Sequence, residues 1–372
     1  MRRSRRRRWR RLLAEVLVAG HICIDLFPRF ARAPKIIPGR LMEVGALRFA
    51  PGGCVANTGF ALAGLGADVR MAADAGDDTL GRILADSLAH SGVAADLQLR
   101  PDMSTSYSIV IQPPLGDRTF WHHAGANESF DGSELSWGGA GILHVGYPPL
   151  LPGLYRDGPG RLRQLFRSAH SAGLVTSLDM ATVDPATAAG QVNWKAWLDD
   201  VLTETDVFTP SIDDLRLALG RVRLARTPRA VGGLADGFIR AGAAIVMIKL
   251  GDRGLYMRTS GAGRLARVAL PDLARWAERS LWAPRLQVDV GSTTGAGDSA
   301  AGGLLYGLAA RLEPEETLLV AAAAAAARVE SGSVPPWAEL EERVRRGWRH
   351  AAFGERGWTE ARPGVYRLED VA

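Results

Sequence analysis

The stretch with the clearest chemical content is a glycine-rich turn that runs into an apolar helix, Ser292-Thr293-Thr294-Gly295-Ala296-Gly297-Asp298. An apolar strand-like run, 286–290, precedes it, and a helix is predicted over 300–308. Strand, glycine turn and helix together aim free backbone N–H groups and the positive helix end at an anion. Asp298 cannot bind that anion because like charges repel, but it can accept a proton from a hydroxyl that attacks phosphorus. The turn therefore predicts phosphoryl transfer to an alcohol.

The turn by itself also admits a purely structural interpretation. An aspartate at a helix start is often a cap, and short Gly-x-Gly turns are common, so the turn alone leaves a structural role open. Two better-known phosphate loops are excluded, because the chain has neither the Gly-Lys-Ser/Thr of a Walker loop nor an acidic residue at dinucleotide spacing.

A second glycine motif stands near the N-terminus. Gly52-Gly53 is followed by Asn57 and a helix-like run, and paired glycines allow close approach of a ligand or a hinge. Asn57 offers both a donor and an acceptor to a polyhydroxy ligand. Upstream, the buried-strand pattern 16–20 leads to Asp25, near the edge where open α/β sheets bind ligands. Each of these residues, taken singly, is also explained as a turn, a cap or a surface acid.

Together these residues resemble the ribokinase-like (PfkB-type) carbohydrate kinase family. The matching pieces follow the family's order from about Glu15 to Glu330: Gly20 with Asp25, Gly52-Gly53 with Asn57, Gly76-Asp77-Asp78 with Gly81, Lys249-Leu250-Gly251 with Gly254, and Thr293 to Asp298. The resemblance implies an α/β three-layer sandwich with a mostly parallel central sheet and a small β lid. It also implies transfer of the γ-phosphoryl group of ATP, with Mg²⁺, to a sugar or sugar-like hydroxyl.

The resemblance assigns roles to particular residues. Asp298 is expected to deprotonate the acceptor, and the anion hole is expected at the backbone of Gly295, Ala296 and Gly297. The sugar-side candidates are Asp25, Gly52, Gly53, Asn57, Asn127 and Asp179, of which Asn127 is otherwise a turn residue and Asp179 a helix cap. The nucleotide-side candidates are Lys249, Gly251, Gly254 and Thr294. Asp214 is the candidate for contact with Mg²⁺ through water.

The chain departs from the family pattern at three places. Ser292 stands where the family commonly has an aspartate that helps to hold a monovalent cation, which puts potassium activation in doubt. Ser211 and Asp214 stand for the family's Asn-x-x-Glu, so the magnesium arrangement is less certain. Arg328 lies in the alanine-rich helix where a small or polar residue is usual near the nucleotide.

Apolar runs and helical stretches alternate along the chain, which indicates a mostly parallel sheet with helices on both faces. The predicted strands are Leu17–Gly20, Val69–Ala73, Ile142–Gly146, Val175–Leu178, Val207–Thr209 and Ile245–Leu250. The predicted helices are Ala56–Leu65, Leu80–Ser91, Arg161–Ala172, Trp194–Leu202, Ile212–Leu219, Ala300–Leu308, Glu315–Val329 and Trp337–Arg346. The segments 36–50 and 104–124 are predicted as lid strands, the second as a hairpin around Pro113-Pro114-Leu115-Gly116.

Composition sets the remaining expectations. We predict a basic disordered arm over 1–13, one kinase domain over 14–350 and a C-terminal tail over 351–372. The net charge of +5 is misleading, since residues 1–11 hold eight arginines and no acid, and the remainder carries −3. The arm could bind nucleic acid or anionic lipid, but a disordered tail or a misassigned start is favoured, so a nucleic-acid partner is not expected. No apolar run has membrane-spanning length, and two cysteines without a disulfide framework fit a cytoplasmic protein.

Partners and alternatives follow from the same patterns. The resemblance implies a homodimer through the lid. A nucleoside kinase remains an alternative that aromatic residues facing the acceptor would favour, with Trp121 and Tyr107 as candidates. A sugar-binding sensor that has lost efficient catalysis is the other alternative, suggested by the departures at Ser292 and Ser211. The adjacent histidines His122 and His123 point to opposite faces of a strand and are a poor metal pair.

Overall fold

The computed structural model describes residues 14–113, 118–220, 224–268, 270 and 272–369. The basic arm and residues 114–116 of the predicted hairpin turn lie outside these ranges. Within them, no helix is both long and apolar enough to cross a membrane.

The strands, in chain order, are β1 Glu15–Gly20, β2 Cys23–Pro28, β3 Leu47–Gly52, β4 Val69–Gly76, β5 Ala94–Arg100, β6 Tyr107–Ile111, β7 Thr119–His123, β8 Ala140–Gly146, β9 Val175–Asp179, β10 Val207–Phe208, β11 Ile245–Lys249, β12 Leu255–Thr259, β13 Ser280–Ala283, β14 Leu286–Gln287, β15 Arg349–His350, β16 Trp358–Arg362 and β17 Val365–Leu368.

The α-helices are α1 Gly53–Leu65, α2 Thr79–Ser91, α3 Pro152–Tyr155, α4 Gly160–Ser171, α5 Trp194–Val201, α6 Ile212–Ala218, α7 Pro228–Ala241, α8 Ala262–Leu265, α9 Leu273–Trp276, α10 Ala296–Ala309, α11 Pro314–Ser331 and α12 Trp337–Arg346. Short 3-10 helices lie at Gly125–Glu128, Pro148–Leu150, Ala188–Gln191, Leu202–Glu204, Gly251–Arg253 and Ala266–Val268.

The central sheet has eleven strands in the described part of the chain, in the order β16-β17-β13-β12-β11-β10-β9-β8-β1-β4-β5. Seven neighbouring strands of this sheet run parallel to one another: β5, β4, β1, β8, β9, β10 and β11. Strands β12, β13, β17 and β16 continue the sheet with antiparallel pairing. Strand β11 is buried along its whole length, as expected for a parallel strand covered by helices on both faces. The carboxyl ends of these parallel strands share one edge, where the site residues meet.

Helices cover both faces of this sheet, and the alternation of side chains along β1 separates two cores. Val16 and Val18 belong to the core that contains Leu62 of α1 and Leu304 of α10. Leu17 belongs to the opposite core, which the side chains of α4, α5 and α7 fill. The chain is therefore the predicted three-layer α/β sandwich.

Helices α10 and α11 pack very closely, as the alanine run predicts. A Cβ added at Gly303 would lie 2.6 Å from the Cα of Ala321, and one at Gly307 would lie 2.6 Å from the side chain of Thr317. Small residues on both helices therefore permit the contact that fixes the start of α10, where the anion-binding turn lies.

A second sheet of four strands, in the order β3-β2-β6-β7, forms the lid. Strand β2 follows β1 after two residues and pairs with β3 antiparallel and with β6 parallel. Residues 107–111 and 119–123 form the predicted hairpin, whereas in 36–50 only the part from Leu47 onward is strand. The rest of that segment lacks the regular pairing that we predicted from its apolar residues.

The segment predicted as a C-terminal tail contributes to the central sheet. Strands β16 and β17 pair with each other, and β17 pairs with β13. Its aromatic residues explain why: Phe353 stacks on Trp282 at 5.4 Å between ring centroids, and Trp358 packs edge-on against both rings. Helix α7, begun by a Thr227 cap and Pro228, was not predicted.

Candidate active site

The anion-binding turn has the backbone that its glycines predict. Gly295 caps α10 in the left-handed region, with φ 75° and ψ 6°. The N–H of Ala296 donates to the carbonyl of Thr293 at 3.3 Å, and this bond differs from the predicted role of that amide in the anion hole. Among the described residues, the N–H groups of Gly295 and Gly297 have no such acceptor. These two amides at a helix N-terminus remain available to an anion.

The carboxylate of Asp298 lies in the first turn of α10 and is only 3% exposed. Asn57 of α1 donates from Nδ2 to Oδ2 at 3.0 Å, and the hydroxyl of Tyr147 donates to Oδ1 at 2.6 Å. Both partners are neutral, and each carboxylate oxygen has two lone pairs. One lone pair on each oxygen is therefore left for a further donor.

Electrostatics at Asp298 combine opposing effects. Burial raises the pKa of Asp298 above its ordinary value, while Lys249, the hydrogen bonds from Tyr147 and Asn57, and the charge of Arg328 act in the other direction. Burial therefore makes this carboxylate more basic than an exposed one, which suits it to accept a proton.

Tyr147 is a site residue that sequence reasoning missed. It follows β8 with φ 68° and ψ 47°, a left-handed backbone that costs a tyrosine energy. Burial and the nearby Asp298 raise its pKa well above the ordinary value, so the hydroxyl stays protonated and donates. Its place after a parallel strand, at the edge where open α/β sheets bind ligands, was the available signal.

On the sugar side, Asp25 and Gly52 are in contact across β2 and β3. A Cβ on Gly52 would lie 2.3 Å from Oδ2 of Asp25, so only glycine fits there. The thiol of Cys23 donates to Oδ1 of Asp25 at 3.3 Å. Burial raises the pKa of Asp25 to about 6, against the opposing hydrogen bonds of Cys23 and Ser108. Asp25 is thus a buried carboxylate carried by strand β2 of the lid.

His21 lies beneath this pair of motifs and is 2% exposed. Among the described residues neither of its ring nitrogens has a hydrogen-bond partner. Its ring lies 5.0 Å from that of His122 on the lid and 5.7 Å from that of Tyr147, between centroids. Burial lowers its pKa well below the ordinary range, so the ring is neutral. The two ring nitrogens of His21, one a donor and one an acceptor, are therefore available to a ligand beside Tyr147.

Two sugar-side candidates have other partners. The amide of Asn127 is fully buried, accepts from the N–H of Ile22 at 3.2 Å and donates to its carbonyl at 2.8 Å. Asp179 is fully buried, and both its oxygens accept from Nζ of Lys249, at 2.8 and 2.7 Å. Asn127 therefore holds the backbone at Ile22, and Asp179 holds the side chain of Lys249. Their place in a sugar pocket stays a prediction.

The same ion pair changes the picture of Lys249. Its ammonium group is buried against Asp179, and a Cβ added at Gly297 would lie 3.5 Å from Nζ. Burial alone lowers the pKa of Lys249, but Asp179, Asp214 and Asp298 together raise it overall. Lys249 is thus a positive charge underneath the anion-binding turn. The burial of Lys249 excludes a solvated strand-end lysine, which the sequence left open, whereas a place near the nucleotide phosphates stays a prediction.

The other nucleotide-side candidates are spread out. Gly254 is required by the fold, because a Cβ there would lie 2.0 Å from the carbonyl of Ala283, whereas Gly251 is open. Thr294 lies in the anion-binding turn, and its buried hydroxyl has no partner among the described residues. From the lid, Arg118 donates to the hydroxyl of the neighbouring Thr293. This contact joins the lid to the turn and was not expected from the sequence.

Asp214 is held by its own helix start. Its Oδ2 accepts from the N–H of Ser211 at 3.1 Å and from the hydroxyl of Ser211, and the N–H of Asp214 donates back to that hydroxyl. Oδ1 accepts from Thr182 at 3.3 Å. This reciprocal pair is a capping box for α6. Across the described ranges, no group of three or more His, Cys, Asp or Glu side chains is arranged to hold a metal ion.

Comparisons with known proteins agree with this fold. A family model described as pfkB family carbohydrate kinase matches residues 13–337. The 2-dehydro-3-deoxygluconokinase of Bacillus subtilis is 27% identical over 229 residues, which is 59% of this chain and 67% of that protein.

Solved structures show the same architecture. Arabidopsis thaliana ribokinase, in complex with ribose and ATP, superposes with a TM-score of 0.68 and 19% identity over 89% of this chain and 98% of that one. Cryptococcus neoformans ribokinase, in complex with ADP, superposes with a TM-score of 0.64 and 22% identity over 89% of this chain and 99% of that one. At these identities the likeness establishes the fold, which is that of the ribokinase-like kinases.

The family match covers most of the chain, so it narrows the class of protein from the ribokinase-like fold to one family. The chain belongs to the pfkB family of carbohydrate kinases, as the two glycine motifs predicted, and it is a carbohydrate kinase.

Proposed function

We propose that this kinase transfers the γ-phosphoryl group of ATP to a hydroxyl of a sugar or sugar-like alcohol, with Asp298 as the general base. One observation carries the proposal. The carboxylate of Asp298 is held between Asn57 of the sugar-side motif and Tyr147, one residue after the free amide of Gly297. The proton acceptor Asp298 thus lies next to N–H groups that can donate to phosphoryl oxygens.

The acceptor hydroxyl donates to a free lone pair of Asp298, which orients its oxygen toward the phosphorus. The O–H proton passes to Asp298 as the new oxygen–phosphorus bond forms, and the bond between that phosphorus and the bridging oxygen of ADP breaks. The amides of Gly295 and Gly297 stabilise the negative charge on the phosphoryl oxygens. Each such donor is worth about 3 kcal/mol of barrier height.

Lys249 supports this step from below. Its charge lies against Gly297 and is balanced by Asp179, so it raises the local potential without leaving an unpaired buried ammonium. Thr294, whose hydroxyl is unpartnered, and Gly251 are the remaining candidates for contact with the nucleotide.

Bound MgATP would supply the electrophilic phosphorus together with a cation that neutralises its oxygens. The residues fit a metal held chiefly by phosphate and water, since Asp214 is already a helix cap. Asp214 would contact the metal only through a water molecule bound at its Oδ1. This oxygen accepts a single long hydrogen bond, from the hydroxyl of Thr182.

On the acceptor side, Asp25 provides a carboxylate for hydroxyl donors and His21 a neutral ring nitrogen. Gly52 and Gly53 allow a sugar to approach the backbone, and Asn57 joins this side to the base. Buried polar groups of this kind discriminate strongly among hydroxyl patterns, because a ligand that lacks a partner leaves them unpaired.

An ADP-release screen tests the proposal. Wild-type protein is incubated with MgATP and pentoses, hexoses, their acids and phosphates, and nucleosides, and the product is located by ³¹P NMR. We expect saturable turnover with a sugar or sugar acid and none in Asp298→Asn. Turnover confined to nucleosides favours the nucleoside kinase, for which Trp121, 46% exposed, is an aromatic candidate. A ligand-induced thermal shift without turnover, across all classes, favours the sensor.

We further propose that the lid pairs two copies of the chain. Large apolar side chains of the lid region lie in solvent: Ile36, Leu41, Leu47, Phe49, Phe120 and Trp121. Exposed large apolar side chains concentrated in one region of a protein are typical of an interaction site. Light scattering is expected to show a dimer that Phe49→Glu converts to a monomer, and a wild-type monomer contradicts the proposal.

A further inference from the structure

Arg328 reaches from the last turns of α11 into the anion-binding turn. Its Nε donates to the carbonyl of Thr294 at 3.0 Å, and Nη1 donates to the carbonyl of Gly332 at 2.7 Å. Nη2 donates to Oδ1 of Asn57 at 3.4 Å. One guanidinium therefore connects the turn, the end of α11 and the sugar-side asparagine.

The bond to Thr294 acts on the anion hole itself. The carbonyl of Thr294 and the N–H of Gly295 belong to one peptide unit, so a charged donor on the oxygen makes that N–H a stronger donor. The contact is close, because a Cβ on Gly295 would lie 3.0 Å from Nε of Arg328. Arg328 thus both fixes and polarises one of the two free amides.

The bond to Asn57 acts on the base. With its Oδ1 held by the guanidinium, the amide of Asn57 presents Nδ2 to Asp298. The positive charge of Arg328 also lies close enough to Asp298 and Asp25 to favour their ionised forms. An arginine remains charged in such surroundings.

A monovalent cation at this turn is what the family resemblance implies, and the residues present do not fit it. Ser292 carries no charge, and its hydroxyl accepts from the N–H of Thr294 at 3.3 Å. The carbonyl of Thr294 already accepts from a permanent cation. A second cation beside the guanidinium would be repelled.

We propose that Arg328 is a built-in cation of the anion-binding turn, a positioning residue that replaces a dissociable monovalent cation. The inference deepens the proposed kinase function and rests on it. It requires that turnover be independent of potassium and that the guanidinium act mainly on kcat.

Kinetics test the inference with Arg328→Ala, Arg328→Lys and the control Arg345→Ala, an exposed arginine of α12 paired with Glu342. Each is assayed in potassium, sodium and choline chloride at equal ionic strength. We expect wild-type kcat to be equal in all three salts. In Arg328→Ala, kcat should fall by about tenfold to a hundredfold, with sugar KM changed much less. Low millimolar guanidinium chloride should restore turnover in Arg328→Ala and leave Arg345→Ala unaffected.

Three results would overturn it: an unchanged kcat in Arg328→Ala, strong potassium activation of the wild type, or no response of folded Arg328→Ala to guanidinium. Thermal unfolding decides the point without turnover. Guanidinium at the same low concentration should stabilise Arg328→Ala alone, and potassium should give the wild type no stabilisation over choline. A wild type that phosphorylates no acceptor refutes the proposed function instead, and the unfolding data still decide whether Arg328 replaces a bound cation.

Discussion

Two buried carboxylates, Asp298 and Asp179, lie near the same lysine and differ in their partners. Asp298 accepts from the neutral donors Asn57 and Tyr147, one on each oxygen. Asp179 accepts from the ammonium of Lys249 on both oxygens and also from the N–H of Met180 at 2.8 Å. The two residues are buried to a similar extent, with 3% of Asp298 and 0% of Asp179 exposed.

The difference shows how the same side chain is given two tasks. Neutral hydrogen bonds orient a carboxylate without cancelling its charge, so Asp298 keeps both its charge and its free lone pairs. Burial raises the pKa of Asp179 to about 7, and the charge of Lys249 opposes that shift. Because the ammonium group contacts both carboxylate oxygens, Asp179 is suited to anchoring Lys249 under the turn. We therefore expect Asp298 variants to fail in catalysis and Asp179 variants to fail in stability.

The largest expected effect separates the two residues directly. Asp298→Asn should lower kcat by about a thousandfold, the scale of general-base catalysis. Its melting temperature at pH 7 should not fall: because burial raises the folded pKa of Asp298, the ionised group costs stability above that pKa and the cost is absent at lower pH. Asp199→Asn, at an exposed surface pair, is the control. An Asp298→Asn enzyme that keeps a tenth of its kcat removes Asp298 as the base.

The next effect is on stability. Lys249→Met leaves the charge of Asp179 buried without its partner and should cost about 3–5 kcal/mol of unfolding free energy, measured by urea denaturation. Adding Asp179→Leu to that variant should recover much of the loss, since the unpaired charge is then gone. If the double variant is no more stable than Lys249→Met, the ion pair is not the reason for the loss.

A smaller effect tests the neutral partners of Asp298. Tyr147→Phe should lower kcat by about tenfold, because the base loses an orienting bond of roughly 1.5 kcal/mol. The hydroxyl lowers the pKa of Asp298, so its removal should move the acid limb of the pH–rate profile to higher pH. Measurement of kcat/KM from pH 4 to 9 checks both, with Tyr155→Phe as the control. An unshifted limb would show that Tyr147 does not act through Asp298.

The smallest effect involves a third carboxylate, Asp25. Burial raises its pKa to about 6, so it loses its charge as the pH falls through that value. Sugar KM should therefore rise severalfold, about the worth of one charged hydrogen bond, between pH 7 and pH 5. In Asp25→Asn the KM should be high and independent of pH over that range. A flat wild-type KM would place Asp25 outside the acceptor pocket.

Much of the architecture could be predicted from local pattern. Apart from the part of 36–50 that precedes Leu47, each predicted strand and helix is present within a few residues, and the glycine turn leads directly into a helix as predicted. The elements that were not predicted include helix α7 and strands β5, β12, β13, β16 and β17, of which β12 and β13 lie inside the central sheet. Helix α7, strands β16 and β17, and the irregular part of 36–50 depend on contacts with distant residues. The stacking of Phe353 on Trp282 is one such contact.

The candidate site divides in the same way. Its catalytic aspartate and the glycines were named from spacing, because a glycine turn at a helix start has a local physical meaning. Asn127 and Asp179 were named as pocket residues; their side chains bond Ile22 and Lys249, which lie 105 and 70 positions away along the chain respectively. Tyr147 and His21 each follow a parallel strand, and this position was their only sequence signal. Arg118 had no such signal, and all three residues join the site only when the strands align.

By itself the sequence determined the order of the elements, the anion-binding turn and the chemistry it favours, since backbone preference and helix polarity are local properties. The tertiary structure alone decided which charges meet: Lys249 with Asp179, Tyr147 with Asp298, and Arg328 with the carbonyl of Thr294. These pairs are set by the register of parallel strands and by the close packing of α10 on α11, which bring together groups from distant parts of the chain.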